Sequence, residues 1–135
     1  MQLQDSLKIA ASGMQAQSER LRVIAENIAN ADATGRSPNE DPYRRKMVVF
    51  QNVLDKEMGI EKVQVTRRTH DNSDFIMKFE PSHPAADAQG YVKYPNVNTI
   101  VEAVDMKEAR RSYEANLGVI EVSKSMMTRT LDLLR

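Results

Sequence analysis

The chain has 135 residues, room for one modest domain or for long helices with a small lobe. Its 19 basic and 19 acidic residues balance, so no uniform field draws in nucleic acid or an anionic membrane. Cys is absent, which excludes disulfides and thiolate metal sites, and Trp is absent too, so a core must rest on aliphatics and Met.

The opening residues, Met1-Gln2-Leu3-Gln4-Asp5, show no basic region and no apolar signal core. No apolar run approaches the ~20 residues needed to span a bilayer. The expectation is a cytosolic start, with any exit by a route that removes no signal peptide. Leu3, Leu7, Ala10, Met14, Leu21, Ile24 and Ile28 step by fours and threes, and Gln17 is the break in the series. That spacing predicts a helix over about 4–30 with a seam of coiled-coil type. A fainter stripe of Ile9, Ala16 and Val23 lies on another face. Gly13 costs the helix about 1 kcal/mol relative to Ala, and it reads either as a tolerated glycine or as a close approach by another helix. Gly35, Pro38 and Pro42 then end the helical pattern.

In the middle, Lys46–Phe50, Val63–Thr66 and Phe75–Phe79 read as short strands, and Pro81 and Pro84 break the pattern. A small β-rich lobe with long loops is expected. Thr99 followed by Glu102 has capping-box spacing, and no Pro interrupts the chain from there to Leu134. Along this second helix Tyr113, Leu117, Ile120, Met127, Leu131 and Leu134 form one seam, with Lys124 at one of its positions. Ala115, Val119, Val122, Met126 and Leu133 form a second, roughly 130° away around the axis. Two separated apolar faces need two sets of neighbours, and the chain has only two long helices. Other molecules must complete the packing.

Chemical sites are hard to find. His70 and His83 sit in polar sequence without a metal-binding companion three or four residues away. There is no phosphate-cradling Gly loop, nucleophile elbow or His-Glu-x-x-His helix. The expectation is no catalytic, cofactor-binding or metal residue, and no small-molecule substrate. Arg44-Arg45-Lys46 and Arg110-Arg111 have acidic neighbours, the mark of a solvated face or of pairing between subunits, and Arg67-Arg68 adds a further basic pair. Specific nucleic-acid binding is not expected.

Four motifs in order carry a family resemblance. Ser12-Gly13-Met14-Gln15-Ala16-Gln17, followed by Ile24-Ala25-Glu26-Asn27-Ile28-Ala29-Asn30-Ala31, resembles the N-terminal signature of flagellar rod and hook proteins. Asp41-Pro42-Tyr43-Arg44-Arg45-Lys46 and Gly90-Tyr91-Val92-Lys93-Tyr94-Pro95-Asn96-Val97-Asn98 are similar to the small proximal-rod subtype of that family. Arg111-Ser112-Tyr113-Glu114-Ala115-Asn116 resembles the family's C-terminal signature. Many relatives continue the first signature with Thr-x-Gly and an aromatic. Here Thr34-Gly35 precedes Arg36-Ser37-Pro38, as in the longer loop of the proximal-rod subtype.

The resemblance implies an α+β fold in which the terminal helices pair as an antiparallel coiled coil beside a small β-rich lobe. It divides the chain into a rod-core helix at 1–34, a loop and β-rich region at 35–97 and a second rod-core helix at 98–135. It implies a structural subunit of the flagellar basal-body rod, a periplasmic drive shaft that transmits motor torque. Its partners would be copies of itself, other rod proteins, the basal-body base and the flagellar type III export apparatus. Assembly would fall to Leu7, Met14, Leu21, Ile24 and Ile28 of the first helix. On the second it would fall to Tyr113, Leu117, Val119, Ile120, Val122, Met126, Met127 and Leu131. Phe50 and Leu54 resemble the Phe-x-x-x-hydrophobic element of this export class, a spacing that Phe75–Phe79 also fits. Long amphipathic helices alone would equally suit a cytosolic adaptor or secretion chaperone.

Overall fold

The computed structural model describes residues 2–135. Its elements run α1 (Gln2–Ala29), β1 (Lys46–Asp55), β2 (Ile60–His70), β3 (Ile76–Phe79), β4 (Tyr91–Tyr94) and α2 (Thr99–Leu133). The two long helices fall where the apolar periodicity predicts them. β1 and β2 pair as one two-stranded sheet, β3 and β4 as another. The class is α+β.

Side-chain chemistry sets the ends of the elements. At the end of α1 the Asn30 side-chain amide donates to the Glu26 carbonyl at 2.8 Å, which also accepts the Asn30 backbone N–H at 3.0 Å. The cap of α2 differs from expectation. Asn98, not Thr99, is the cap: its Oδ1 accepts from the amides of Ile100 at 3.1 Å and Val101 at 3.4 Å. Glu102 does not reach back, because its carboxylate is drawn inward by Arg45. β1 and β2 extend past the predicted segments to a tight turn built on Asp55, which receives the Gly59 amide on its carbonyl at 2.7 Å. Gly59 takes φ +66°, a conformation that suits glycine. β4 lies in sequence read only as a motif. It pairs antiparallel with β3, Ile76 opposite Tyr94 and Phe79 opposite Tyr91.

The chain forms two compact units. Unit 1 comprises 1–21, 48–67 and 107–135. Its described buried side chains include Ala10, Ala16, Ala109 and Ser123, all small. Within it α1 meets α2 with sequence running in opposite directions: Gly13 lies against Asn116, and Arg20 pairs with Glu108 at 3.7 Å. A Cβ added to Gly13 would sit 2.8 Å from the Asn116 amide nitrogen, so of the two readings of this glycine the close approach is the one found.

Unit 2 comprises 22–47 and 68–106. It buries Val23, Ile24, Val92, Pro95 and Val97, together with the polar side chains Asn27 and Glu102. The faint α1 stripe is thus partly internal, with Ala16 and Val23 buried and Ile9 exposed.

Candidate functional site

The residues of the sequence signatures converge on two places. In unit 2 the centre is Asn27, in the last turn of α1. Its Oδ1 accepts from the Lys46 amide at 2.9 Å, and its Nδ2 donates to the Lys46 carbonyl at 2.9 Å. The carboxamide thus completes both main-chain groups of Lys46 as an adjacent strand would, a task no aliphatic residue can do. The Tyr43 hydroxyl donates to the same Oδ1 at 2.8 Å. The second Asn27 donor contact runs to Glu102 Oε2 at 3.4 Å.

Glu102 is 1% exposed, and its partner is Arg45, whose Nε donates to Oε1. Arg45 Nη1 also reaches Asp71 Oδ2 at 3.4 Å, and its Nη2 lies 3.9 Å from Asp105. Burial works against the Arg45 charge, but Glu102 and then the two aspartates outweigh it and raise the guanidinium pKa. Asp71 is held below the usual carboxylate range, first by the Ser73 amide and also by Arg45. Burial, with Glu26 and Glu102 nearby, pushes the Tyr43 hydroxyl up.

Asn96 fastens the next loop. Its Oδ1 accepts from the Arg45 amide at 2.8 Å, and its Nδ2 donates to the Asp71 carbonyl and to Ser73 Oγ, both at 3.0 Å. Arg44 donates to the Asp71 carbonyl at 3.0 Å and lies 4.3 Å over the Phe75 ring. Lys46 pairs with Glu26 at 3.1 Å, and that contact lowers the Glu26 pKa. The basic run 44–46, read from sequence as a solvated or intersubunit face, is therefore spent inside the chain. Pro95 and Val97 are buried and Asn98 caps α2, so each residue of Pro95-Asn96-Val97-Asn98 has a structural task.

The second place lies in unit 1. Asn116 donates to the Ser112 carbonyl at 3.0 Å and packs on Gly13, joining the C-terminal signature to the N-terminal one. Around it, α2 buries Ala109 and Ser123 and leaves several large apolar residues exposed. Val119, Val122 and Met126 are 45%, 55% and 52% exposed. They line an open groove with Leu3, Ser6, Ala115, Gly118 and Ser123. Of the first seam, Tyr113, Ile120 and Met127 are half-buried while Leu117 and Leu131 are exposed. On α1, Ile24 is buried, and Leu7, Met14, Leu21 and Ile28 are half-buried. Ala29 is exposed at the helix end.

The remaining sequence candidates are dispersed. Phe50 is half-buried and Leu54 exposed, both on β1. His83 is part of its loop: Nδ1 accepts from the Ala85 amide at 3.0 Å, and Nε2 lies 3.4 Å from Thr34 Oγ1. His70 is exposed. Sequence reasoning missed the Arg45–Glu102 pair. The available signal was an acidic residue in the first turn of α2 together with a basic run in the loop after α1, and nothing in one dimension joins the two.

Family models and full-length relatives match the chain. The family described as "Flagella basal body rod protein" matches residues 7–35, and "Flagellar basal body rod FlgEFG protein C-terminal" matches 88–133. The chain is 51% identical over 128 residues to the flagellar basal-body rod protein FlgC of Agrobacterium fabrum, covering 95% of this chain and 92% of that protein. It is 44% identical to FlgC of Salmonella typhimurium over 98% of each chain. To FlgC of Bacillus subtilis it is 37% identical over 95% of each.

Proposed function

The chain belongs to the FlgC family of flagellar basal-body rod proteins, and from that premise we propose how its geometry serves a rod. It is a structural subunit of the flagellar basal-body rod. The observation that carries the mechanism is the exposure of Val119, Val122 and Met126 on α2, beside buried Ala109 and Ser123. A helix exposing Val119, Val122 and Met126 leaves apolar area in water that a neighbouring helix would cover. α1 and α2 pair as an antiparallel coiled coil, supported by the opposed contacts at Gly13 and Asn116, Arg20 and Glu108, and Asn27 and Glu102. The helices at 1–34 and 98–135 form the rod core. The 35–97 region sets their spacing through the Asn27 network.

Head-to-tail contacts of this kind generate helical tubes. In the proximal rod such a tube, made with copies of this chain and other rod proteins on the basal-body base, would carry motor torque. The chain reaches the periplasm through the flagellar type III export apparatus without losing a signal peptide, and Phe50 and Leu54 serve as its recognition element. Family membership sets aside the adaptor or chaperone reading. The test is fractionation of flagellated cells: the full-length chain is expected in purified basal bodies, with its N-terminal residues retained. Confinement to the cytosol would refute the proposal. Phe50→Ala is expected to lower the periplasmic amount at unchanged synthesis, and equal export would remove Phe50 from that role.

A further inference from the structure

Facing positions on the two helices recur every seven residues, and such helices can pair in more than one register. On α2 the inward line is Glu102, Ala109, Asn116 and Ser123; on α1 it passes through Gly13, Arg20 and Asn27. Sliding α2 by one repeat, about 10 Å, would put Ala109 or Ser123 opposite Gly13. Both are small, so sterics along this face do not forbid the slide. What the slide destroys is the setting of Glu102. Its carboxylate is 1% exposed, bonded to Arg45 and within 3.4 Å of the Asn27 amide. Arg45 is itself tied down through its amide to Asn96 and through its guanidinium to Asp71. A buried charge separated from such partners is strongly disfavoured.

We propose that Glu102, gripped by Arg45 and Asn27, is the positioning residue that fixes the register of α2 against α1. It thereby sets the height at which Val119, Val122 and Met126 are presented to neighbouring subunits. That last consequence rests on the assembly reading above; the register itself does not.

The chain has no native cysteine, so engineered pairs report register cleanly. Gly13→Cys with Asn116→Cys reports the observed pairing. Gly13→Cys with Ala109→Cys, or with Ser123→Cys, reports the slides, each carrying Asn116→Ala to relieve the clash at position 13. In purified full-length protein with Glu102 intact, only the first pair is expected to form a disulfide. Glu102→Leu is expected to raise the two slid products about tenfold, the factor expected from one charge-assisted hydrogen bond. Glu102→Gln, which keeps an acceptor for Arg45, is expected to restore the single register. Exclusive formation of the first product in Glu102→Leu overturns the proposal, as does equal sliding in Glu102→Gln and Glu102→Leu. Should Glu102→Leu lose its helix content, Arg45→Met with Glu102→Met removes the buried charge instead and is judged by whether the slid products appear. Motility is not read in this experiment, so failure of the assembly reading leaves its result unchanged.

Discussion

Unit 1 and unit 2 differ in what they bury. Unit 2 buries Val23, Ile24, Val92 and Val97 beside polar groups that are mutually satisfied through Asn27, Arg45, Asn96 and Glu102, and it leaves Phe79, Ile100 and Val104 exposed. In unit 1 the two helices meet at Gly13 and Asn116 and the buried residues are as small as Ala10, Ala16 and Ala109, while Val119, Val122, Met126, Leu131 and Leu134 face water. Small residues let two backbones approach but bury little area. The difference teaches that the two parts of the chain use different interiors, small residues at a close helix contact in unit 1 and a satisfied polar network beside branched aliphatics in unit 2. Both units leave large apolar side chains in water, Phe79, Ile100 and Val104 in unit 2 and Val119, Val122 and Met126 in unit 1.

The sharpest way to break that comparison is to place a charge on the outward stripe. Val122→Asp is expected to abolish rod incorporation and motility while shifting monomer stability by no more than about 0.5 kcal/mol and leaving export intact. Ile120→Asp, at a half-buried position, is expected to destabilise the monomer as well. Swarming, rod incorporation and periplasmic amount should be measured together. Normal swarming of Val122→Asp would show that the face is not an assembly surface.

Next in size is a change in unit 2. Glu102→Ala leaves the Arg45 guanidinium without its best partner and orphans the Asn27 donor, at a cost of about 3 kcal/mol. Denaturant unfolding of the monomer reads this directly. A loss below about 0.5 kcal/mol would mean that the network contributes little to the stability of its unit.

The two helical glycines provide a smaller and more discriminating test. A Cβ at Gly13 meets Asn116, whereas one at Gly118 meets nothing within 4 Å. Gly118→Ala should therefore gain the helix-propensity difference, about 1 kcal/mol, in the isolated protein. Gly13→Ala should forfeit that gain by displacing Asn116. Equal thermal shifts in the two variants would remove the close approach from the account.

The smallest effect is acid sensitivity. Asp71 and Glu26 in unit 2 and Asp55 in unit 1 have folded-state pKa values below their ordinary ones, held by the Ser73 amide, Lys46 and Lys62 respectively. A depressed carboxylate contributes stability that is complete above its unfolded pKa and is lost as pH falls through the folded value. The expected loss therefore lies below about pH 4. In an NMR titration the Ser73 and Glu57 amides, which donate to Asp71 and Asp55, should shift in that range, and the Val119 amide should not.

The helices, their lengths and the presence of two apolar stripes on α2 are written in the sequence, because a period near 3.6 is a property of the chain itself. The close approach at Gly13 was one of two readings open to the sequence, since a mid-helix glycine carries a cost that is either tolerated or offset by packing. The exposure of Val119, Val122 and Met126, by contrast, is a tertiary outcome. Periodicity gives angles around one helix and does not say which angle its neighbour occupies. The neighbour proved to lie along Glu102, Ala109, Asn116 and Ser123, a line with no strong apolar signal. The capping box at Thr99 failed for a related reason: Glu102 had a stronger partner 57 residues away in Arg45. Asn27, Arg45, Asn96 and Glu102 are each common polar residues, unremarkable where they stand along the chain. Only folding brings them together, and a buried carboxylate acquires its meaning from the cation that reaches it in space.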